Sequence, residues 1–181
     1  VLTAERFPRL KVSRSPSADA IGPVGNRTTA ATIADVISAA AGLRTCTGRV
    51  GADGYHWCRL PEPGAATVGL CHASSRRPQT LTDYLPRVTA AAALMSGADD
   101  ALLTALADRV VAASAAQMFE TAARHRDRLA LTIDALARCQ RLAALCAVAQ
   151  LIVARPDGAR GWEFAVIRHG RLAGAGAVSY T

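Results

Sequence analysis

Four kinds of hydrophobic pattern follow one another along the chain. FPRLKVSRS, from Phe7 to Ser15, alternates apolar and basic residues, which predicts a half-exposed strand with Leu10 and Val12 on the buried face. After a loop with Gly22, Pro23 and Gly25, TTAATIADVISAAAGL takes helical spacing, with Ile33, Val36 and Ile37 on one face. Asn26 or Thr28 serves as its N-cap, and Gly42 lies near its stop. From Cys46 to about Arg77 the periodicity disappears into Gly and Pro. From Thr80 to about Val148 the chain is helix-prone throughout, interrupted at Pro86 and at the Ser96–Asp100 turn. Helices are predicted near Leu81–Met95, Asp99–Gln117 and Glu120–Ala144, the last two forming an antiparallel hairpin closed near Met118–Phe119. The remainder switches to three extended runs separated by Pro156-Asp157-Gly158 and His169-Gly170, an antiparallel meander.

The predicted class is therefore α+β. An N-terminal strand and helix lead into a cysteine-containing loop, a central helical hairpin follows, and a β-meander ends the chain. Three regions result: 1–79, 80–146 and 147–181. The chain opens on valine directly into its first strand and stops abruptly at Thr181, so a piece of a longer polypeptide is expected.

Composition adds a second constraint. Half of the 181 residues are hydrophobic, but alanine dominates them and aromatics are few, so the core must be thin and helix-rich. The formal charge is +7, carried almost wholly by arginine, with Lys11 the one lysine. Such a balance favours polyanionic partners, and the planar guanidinium suits phosphate. Candidate contacts are Arg9, Lys11 and Arg14 on the first strand, and Arg44, Arg49, Arg59, Arg76 and Arg77 around the loop. A solvated basic face is the alternative use of these side chains. No apolar run reaches the length of a membrane span, and Glu5 with several basic residues breaks up anything like a secretory leader. An odd number of cysteines without marks of secretion points to a reducing cytoplasm.

Catalytic chemistry has no foothold in the pattern. The four histidines are scattered, Asp99–Asp100 reads as helix capping, and the glycines near the C-terminus lie in a strand with no helix after them. The cysteine loop is the chemical candidate. Eleven residues separate Cys46 from Cys58 and twelve separate Cys58 from Cys71. Thiolates bind soft and borderline metals, and four ligands are usual for zinc or a cubane cluster. The fourth donor is left open among His56, His72 and Ser75, as is the reading of three thiols in a coil. Cys139 and Cys146, seven apart, share one helix face and read as small core residues. On the same helix Phe119 is a candidate anchor for a partner, and Glu120 and Arg124 are spaced to pair; a plain core hairpin is the alternative.

The order of these segments resembles a known family. FPRLKVSR, a Gly22-Pro23 element, a helix ending at Arg44 and Cys46, a loop closing over Gly69 to Ser75, and FETAARHRD from Phe119 to Asp127 resemble the part of UvrC, and of its shorter relative Cho, that follows the GIY-YIG nuclease domain. UvrC is the incision subunit of bacterial nucleotide excision repair. The resemblance implies an iron–sulfur cluster on the loop, matching Cys46, Cys58 and Cys71, with Ser75 in the place of the fourth cysteine; zinc or no metal are the alternatives. It implies that the hairpin, the UVR motif, meets a UvrB-like helicase through Phe119, Glu120, Arg126 and Asp127. It implies that the meander enters an RNase H-like nuclease domain, and that catalytic residues lie before Val1 and after Thr181. Similar regions occur in actinobacterial fusions with a DnaQ-like exonuclease, to which the arginine- and alanine-rich composition is suited. The expected role is noncatalytic DNA binding and scaffolding for a repair nuclease, with helicase recruitment as the alternative.

Overall fold

The structure, a computed structural model, describes residues 1–15, 20–48, 54–58, 71–158 and 160–179. Among the described residues four helices precede a three-stranded sheet, so the α+β class with a C-terminal meander holds.

Helix α1 runs Arg27–Ala41. The Asn26 side chain caps it by accepting from the Thr29 N–H at 2.8 Å. It stops at Gly42, whose φ of 69° is the left-handed conformation that glycine adopts without a steric penalty. Its buried face is Ile33, Val36, Ile37 and Ser38. Helix α2, Leu81–Ser96, opens on a reciprocal capping box between Thr80 and Asp83 and passes through Pro86. Helix α3, Ala101–Ala115, starts where the Asp99 carboxylate accepts from the Ala101 N–H at 2.7 Å, the capping use expected of the Asp pair. It lies against α1 and α2 and has no buried residue of its own. Ala116, Gln117 and Met118 join it to α4, Phe119–Ala147, at the point where the sequence placed the closure.

Close contacts divide the chain into two units, Val1–Leu136 and Ala137–Thr181. In the first, Phe7, Ile33, Ile37, Leu43, Tyr84, Ala91, Leu94 and Leu136 form one cluster with Cys71 and Ala73. The Phe7 and Tyr84 rings meet with centroids 5.2 Å apart. The Tyr84 hydroxyl donates to the Pro8 carbonyl at 2.7 Å and accepts from the Arg44 N–H at 2.8 Å. One side chain thus ties α2 to the N-terminal segment and to the end of α1.

The N-terminal segment bends at Glu5–Phe7 and folds back on itself, and among the described residues its pairing is one antiparallel bridge, Leu2 with Leu10, rather than the predicted strand. The buried anchor there is Phe7. Leu10 packs against the core as expected, whereas Val12 is exposed. The reason is that Phe7 occupies the space beside Tyr84, and the chain leaves the core soon afterwards.

In the second unit, β1 (Leu151–Pro156), β2 (Gly161–Arg168) and β3 (Arg171–Ser179) form an antiparallel sheet in the order β1-β2-β3. His169 and Gly170 both have positive φ, 46° and 73°, which is the two-residue turn whose twist matches a hairpin. At the first turn the Asp157 carboxylate accepts from the Gly161 N–H at 2.8 Å. Cys139 is half-buried and Cys146 exposed, so the predicted core position of this pair is corrected. The exposed Cys146 lies where the α4 end meets the His169-Gly170 turn, and its Sγ sits 2.6 Å from where a Gly170 side chain would begin.

Candidate metal centre

The described parts of the cysteine loop converge on one point. At the end of α1, the Leu43 N–H donates to the Ser38 carbonyl at 2.8 Å, turning the chain so that Cys46 comes back over the helix end. Residues 54–58 approach from another side. Gly54 has φ 79°, the left-handed conformation that favours glycine, and packs against the Arg6 guanidinium. His56 then pairs with Gln79 as an isolated antiparallel bridge, the two backbone bonds being 3.1 and 2.8 Å. Extended backbone repeats every two residues, so the His56 and Cys58 side chains leave the chain on the same side. Cys71 stands at the start of a turn in which Ser74 donates back to its carbonyl through both N–H and Oγ. The Ser75 N–H donates to the Cys58 carbonyl at 3.0 Å, closing the two arms of the loop on each other.

The result is a group of four donors, Cys46, His56, Cys58 and Cys71, whose ligand atoms all lie within 4.8 Å of one another. It is the one such group among the described residues. His56 Nε2 is 3.3 Å from the Cys46 sulfur and 3.8 Å from the Cys71 sulfur. The other two candidates for fourth donor are engaged elsewhere. His72 Nε2 is 2.8 Å from the Asp35 carboxylate on α1, which also pairs with Arg128 of α4. Ser75 Oγ donates to the Arg77 carbonyl.

The electrostatics suit a cation. Burial first, and then the neighbouring Cys46, push the Cys58 thiol up to about 12. Burial also works against ionising Cys71, but N–H groups of Cys46, Thr45 and Ala73 outweigh it and the thiol falls below its ordinary value. The Thr45 N–H lies 3.4 Å from that sulfur. Burial holds the His56 ring below its ordinary pKa, assisted by Arg44 and Arg87, with Gln79 pulling the other way. Crowded thiols and a neutral imidazole are the unmetallated form of a metal-ligand set.

The basic residues divide into two kinds. Lys11, Arg14, Arg76 and Arg77 are exposed. Arg9 is half-buried, its Nε 3.4 Å from the Glu5 carboxylate. Arg44 departs from its expected use as a phosphate contact. It is 3% exposed, and its guanidinium donates to the Phe7 carbonyl at 2.7 Å, to the Cys46 carbonyl at 3.1 Å and to the Glu5 carboxylate. Its NH1 is also 3.8 Å from the Cys46 sulfur. Arg44 is thus the side chain that pins the N-terminal segment to the start of the cysteine loop. Arg49 and Arg59 lie outside the described residues, as does Gly69 at the start of the expected motif that ends at Ser75. On α4, Phe119 and Glu120 are exposed, and Arg126 pairs with the adjacent Asp127 at 2.8 Å. Arg124 donates to Thr121 Oγ1 at 3.2 Å rather than meeting Glu120.

Gln79, Glu5 and Asp35 belong to this neighbourhood and were not singled out from the sequence. Their partners lie tens of residues away, and only the one-residue gap between Arg44 and Cys46 carried a local signal.

The fold is α+β, and it brings Cys46, His56, Cys58 and Cys71 together. A Mycobacterium tuberculosis protein named as a bifunctional exonuclease/endonuclease is 44% identical over 178 residues, 97% of this chain and 27% of that protein. The UvrABC system protein C of Halobacterium salinarum is 32% identical over 133 residues, 72% of this chain and 22% of that protein. The chain therefore spans about a quarter of the length of the curated relatives it matches. The resemblance to a UvrC-like nuclease, including an exonuclease fusion, holds. No family model matches the chain, and no solved structure matches it significantly. Among the described residues no single helix is long and apolar enough to cross a membrane.

Proposed function

We propose that this chain is a noncatalytic DNA-binding and scaffolding region of a UvrC-like repair nuclease that also carries a DnaQ-like exonuclease, and that it acts in the cytoplasm in nucleotide excision repair. The observation that carries the reading is the 44% identity to an exonuclease/endonuclease protein over almost the whole chain. Lys11, Arg14, Arg76 and Arg77 project into solvent from the N-terminal segment and from the loop that closes the donor group. Arginine forks and a lysine ammonium bind backbone phosphates without reading bases, so the binding is to duplex shape and charge. The Cys46–His56–Cys58–Cys71 group holds a metal centre, iron–sulfur or zinc, whose work is to order a loop poor in regular structure and so fix the basic side chains. The chemistry of phosphodiester cleavage belongs to neighbouring parts of the polypeptide.

Fluorescence anisotropy with a labelled duplex at low salt tests this. The chain should bind mixed-sequence duplexes equally, and the double variant Arg76→Ala/Arg77→Ala should bind at least about tenfold more weakly. Absence of binding at low salt, or a strong preference for one sequence, contradicts the reading.

A second reading is favoured by Phe119, which is 66% exposed beside an exposed Met118 at the α3–α4 junction. An apolar pair at a helix start is a docking anchor for a protein partner, here a UvrB-like helicase, with Glu120, Arg126 and Asp127 at its rim. On that reading Phe119→Ala abolishes the helicase complex and leaves DNA affinity intact.

A further inference from the structure

We infer that Cys46, His56, Cys58 and Cys71 hold one tetrahedral metal ion, with zinc the best match, rather than the iron–sulfur cluster that the family resemblance implies, and that Gln79 orients His56 as the fourth ligand. The inference rests on the metal centre proposed above and specifies its chemistry.

The first ground is size. In a mononuclear site all four donors touch the same ion. With zinc–sulfur bonds of about 2.3 Å and zinc–nitrogen bonds of about 2.0 Å at tetrahedral angles, sulfur and nitrogen stand about 3.5 Å apart and two sulfurs about 3.8 Å apart. The two sulfur–nitrogen distances here are 3.3 and 3.8 Å, and no pair of donors exceeds 4.8 Å. A cubane cluster spreads its ligands over separate irons at the corners of a cube, with each thiolate pointing away from the others, so its sulfurs stand several ångströms further apart. The space between these four donors takes an ion and not a cluster.

The second ground is the donor set. A cubane takes four thiolates as a rule, and the position where the resemblance places the fourth carries Ser75, whose Oγ is turned to the Arg77 carbonyl. His56 fills the gap instead. Three thiolates and one imidazole is a common structural zinc set, and the ion with its four ligands would carry one net negative charge. The Arg44 guanidinium 3.8 Å from the Cys46 sulfur and the Thr45 N–H 3.4 Å from the Cys71 sulfur face that charge.

The third ground is the far side of the imidazole. A ligating histidine uses its other ring nitrogen as a donor to a carbonyl or carboxylate, which fixes the tautomer. Here His56 Nδ1 and Gln79 Oε1 are both buried, and neither completes a hydrogen bond of ordinary geometry among the described residues. The two residues are directly paired through their backbones, so their side chains lie on the same face of the bridge. A small rotation of the Gln79 amide makes Nδ1–H the donor to Oε1 and leaves the Nε2 lone pair for the ion. Gln79 is a positioning residue in this scheme.

The experiment is anaerobic purification of the chain with its metals and acid-labile sulfide assayed, followed by cobalt(II) titration of the apoprotein under absorption spectroscopy. One zinc per chain without sulfide is expected. Cobalt should give the intense visible bands of a tetrahedral site and thiolate-to-cobalt charge transfer at one equivalent. His56→Ala should weaken cobalt binding by at least about 100-fold, and His56→Cys, which keeps a donor, should retain a tetrahedral spectrum. Gln79→Leu should weaken it by about 10- to 100-fold and Gln79→Glu should restore it. His72→Ala and Ser75→Ala should leave it unchanged. Iron and sulfide in stoichiometric amounts overturn the single-ion inference while the metal centre stands. A protein that takes up neither zinc, cobalt nor iron overturns both. Tight cobalt binding by His56→Ala with an unaltered spectrum removes His56 from the site.

Discussion

Arg44 and Arg155 show how differently the two units of this chain use the same side chain. Arg44 is buried beside the donor group and spends its guanidinium on the Phe7, Cys46 and Gly48 carbonyls and on Glu5, which together hold the N-terminal segment to the loop. Arg155 is 77% exposed on β1 and meets Glu163 across the strands at 2.6 Å, where water screens the pair and competes for both groups. The contrast extends to everything around them. In Val1–Leu136, Phe7, Tyr84, His56 and Cys71 are buried together, although they lie far apart in sequence. In the meander every residue of β1 and β3 is exposed, and the order comes from ladder hydrogen bonds and two tight turns. One region depends on distant partners meeting; the other depends on what each residue's neighbours in sequence dictate.

Metal removal breaks this contrast most strongly. Structural zinc contributes on the order of 10 kcal/mol to small metal-dependent folds. Chelation, or Cys46→Ser with Cys58→Ser, should therefore strip hydrogen-exchange protection from the His56, Ser75 and Gln79 amides, while amides of the β1–β2–β3 ladder keep theirs. Loss of protection in both regions alike would show that the second depends on the first. Phe7→Ala removes the ring that fills the core beside Tyr84 and should cost about 3–5 kcal/mol in a denaturant titration. Arg44→Ala leaves the buried Phe7 carbonyl without its donor and Glu5 with Arg9 as its remaining partner, and should cost about 3 kcal/mol, against about 0.5 kcal/mol or less for Arg155→Ala. Equal effects would erase the distinction drawn here. Tyr84→Phe, losing one hydroxyl that both donates to Pro8 and accepts from Arg44, should cost about 1–2 kcal/mol. Phe119→Ala should change stability by less than about 0.5 kcal/mol, since its ring stands in solvent.

The same contrast explains what could be read from the residues alone. The α1 helix was legible because Ile33, Val36 and Ile37 recur at helical spacing between Asn26 and Gly42, both of which act as caps. The meander was legible because Pro156-Asp157-Gly158 and His169-Gly170 specify turns locally. Three metal-ligand candidates followed from residue type. The fourth did not, because His56 and His72 both sit within two residues of a cysteine. What separates them is long-range: Asp35 takes His72, and the bridge to Gln79 carries His56 toward the sulfurs. Arg44 was visible as a cation, but its burial depends on Phe7 and Glu5, nearly forty residues away. Exposure of Val12 and Cys146 was hidden for the same reason, since a periodic pattern says which side faces inward only when something lies on that side.

The central claim is that the exposed cations of this scaffold meet nucleic-acid phosphates. Its most direct measurement is the dissociation constant for a duplex across a salt series, with the metal-loaded chain. Four phosphate contacts from Lys11, Arg14, Arg76 and Arg77 predict a linear log–log dependence with a slope of roughly −3 to −4, falling by about one for each cation replaced by alanine. A slope near zero, or one that Arg76→Ala and Arg77→Ala leave unchanged, contradicts the account.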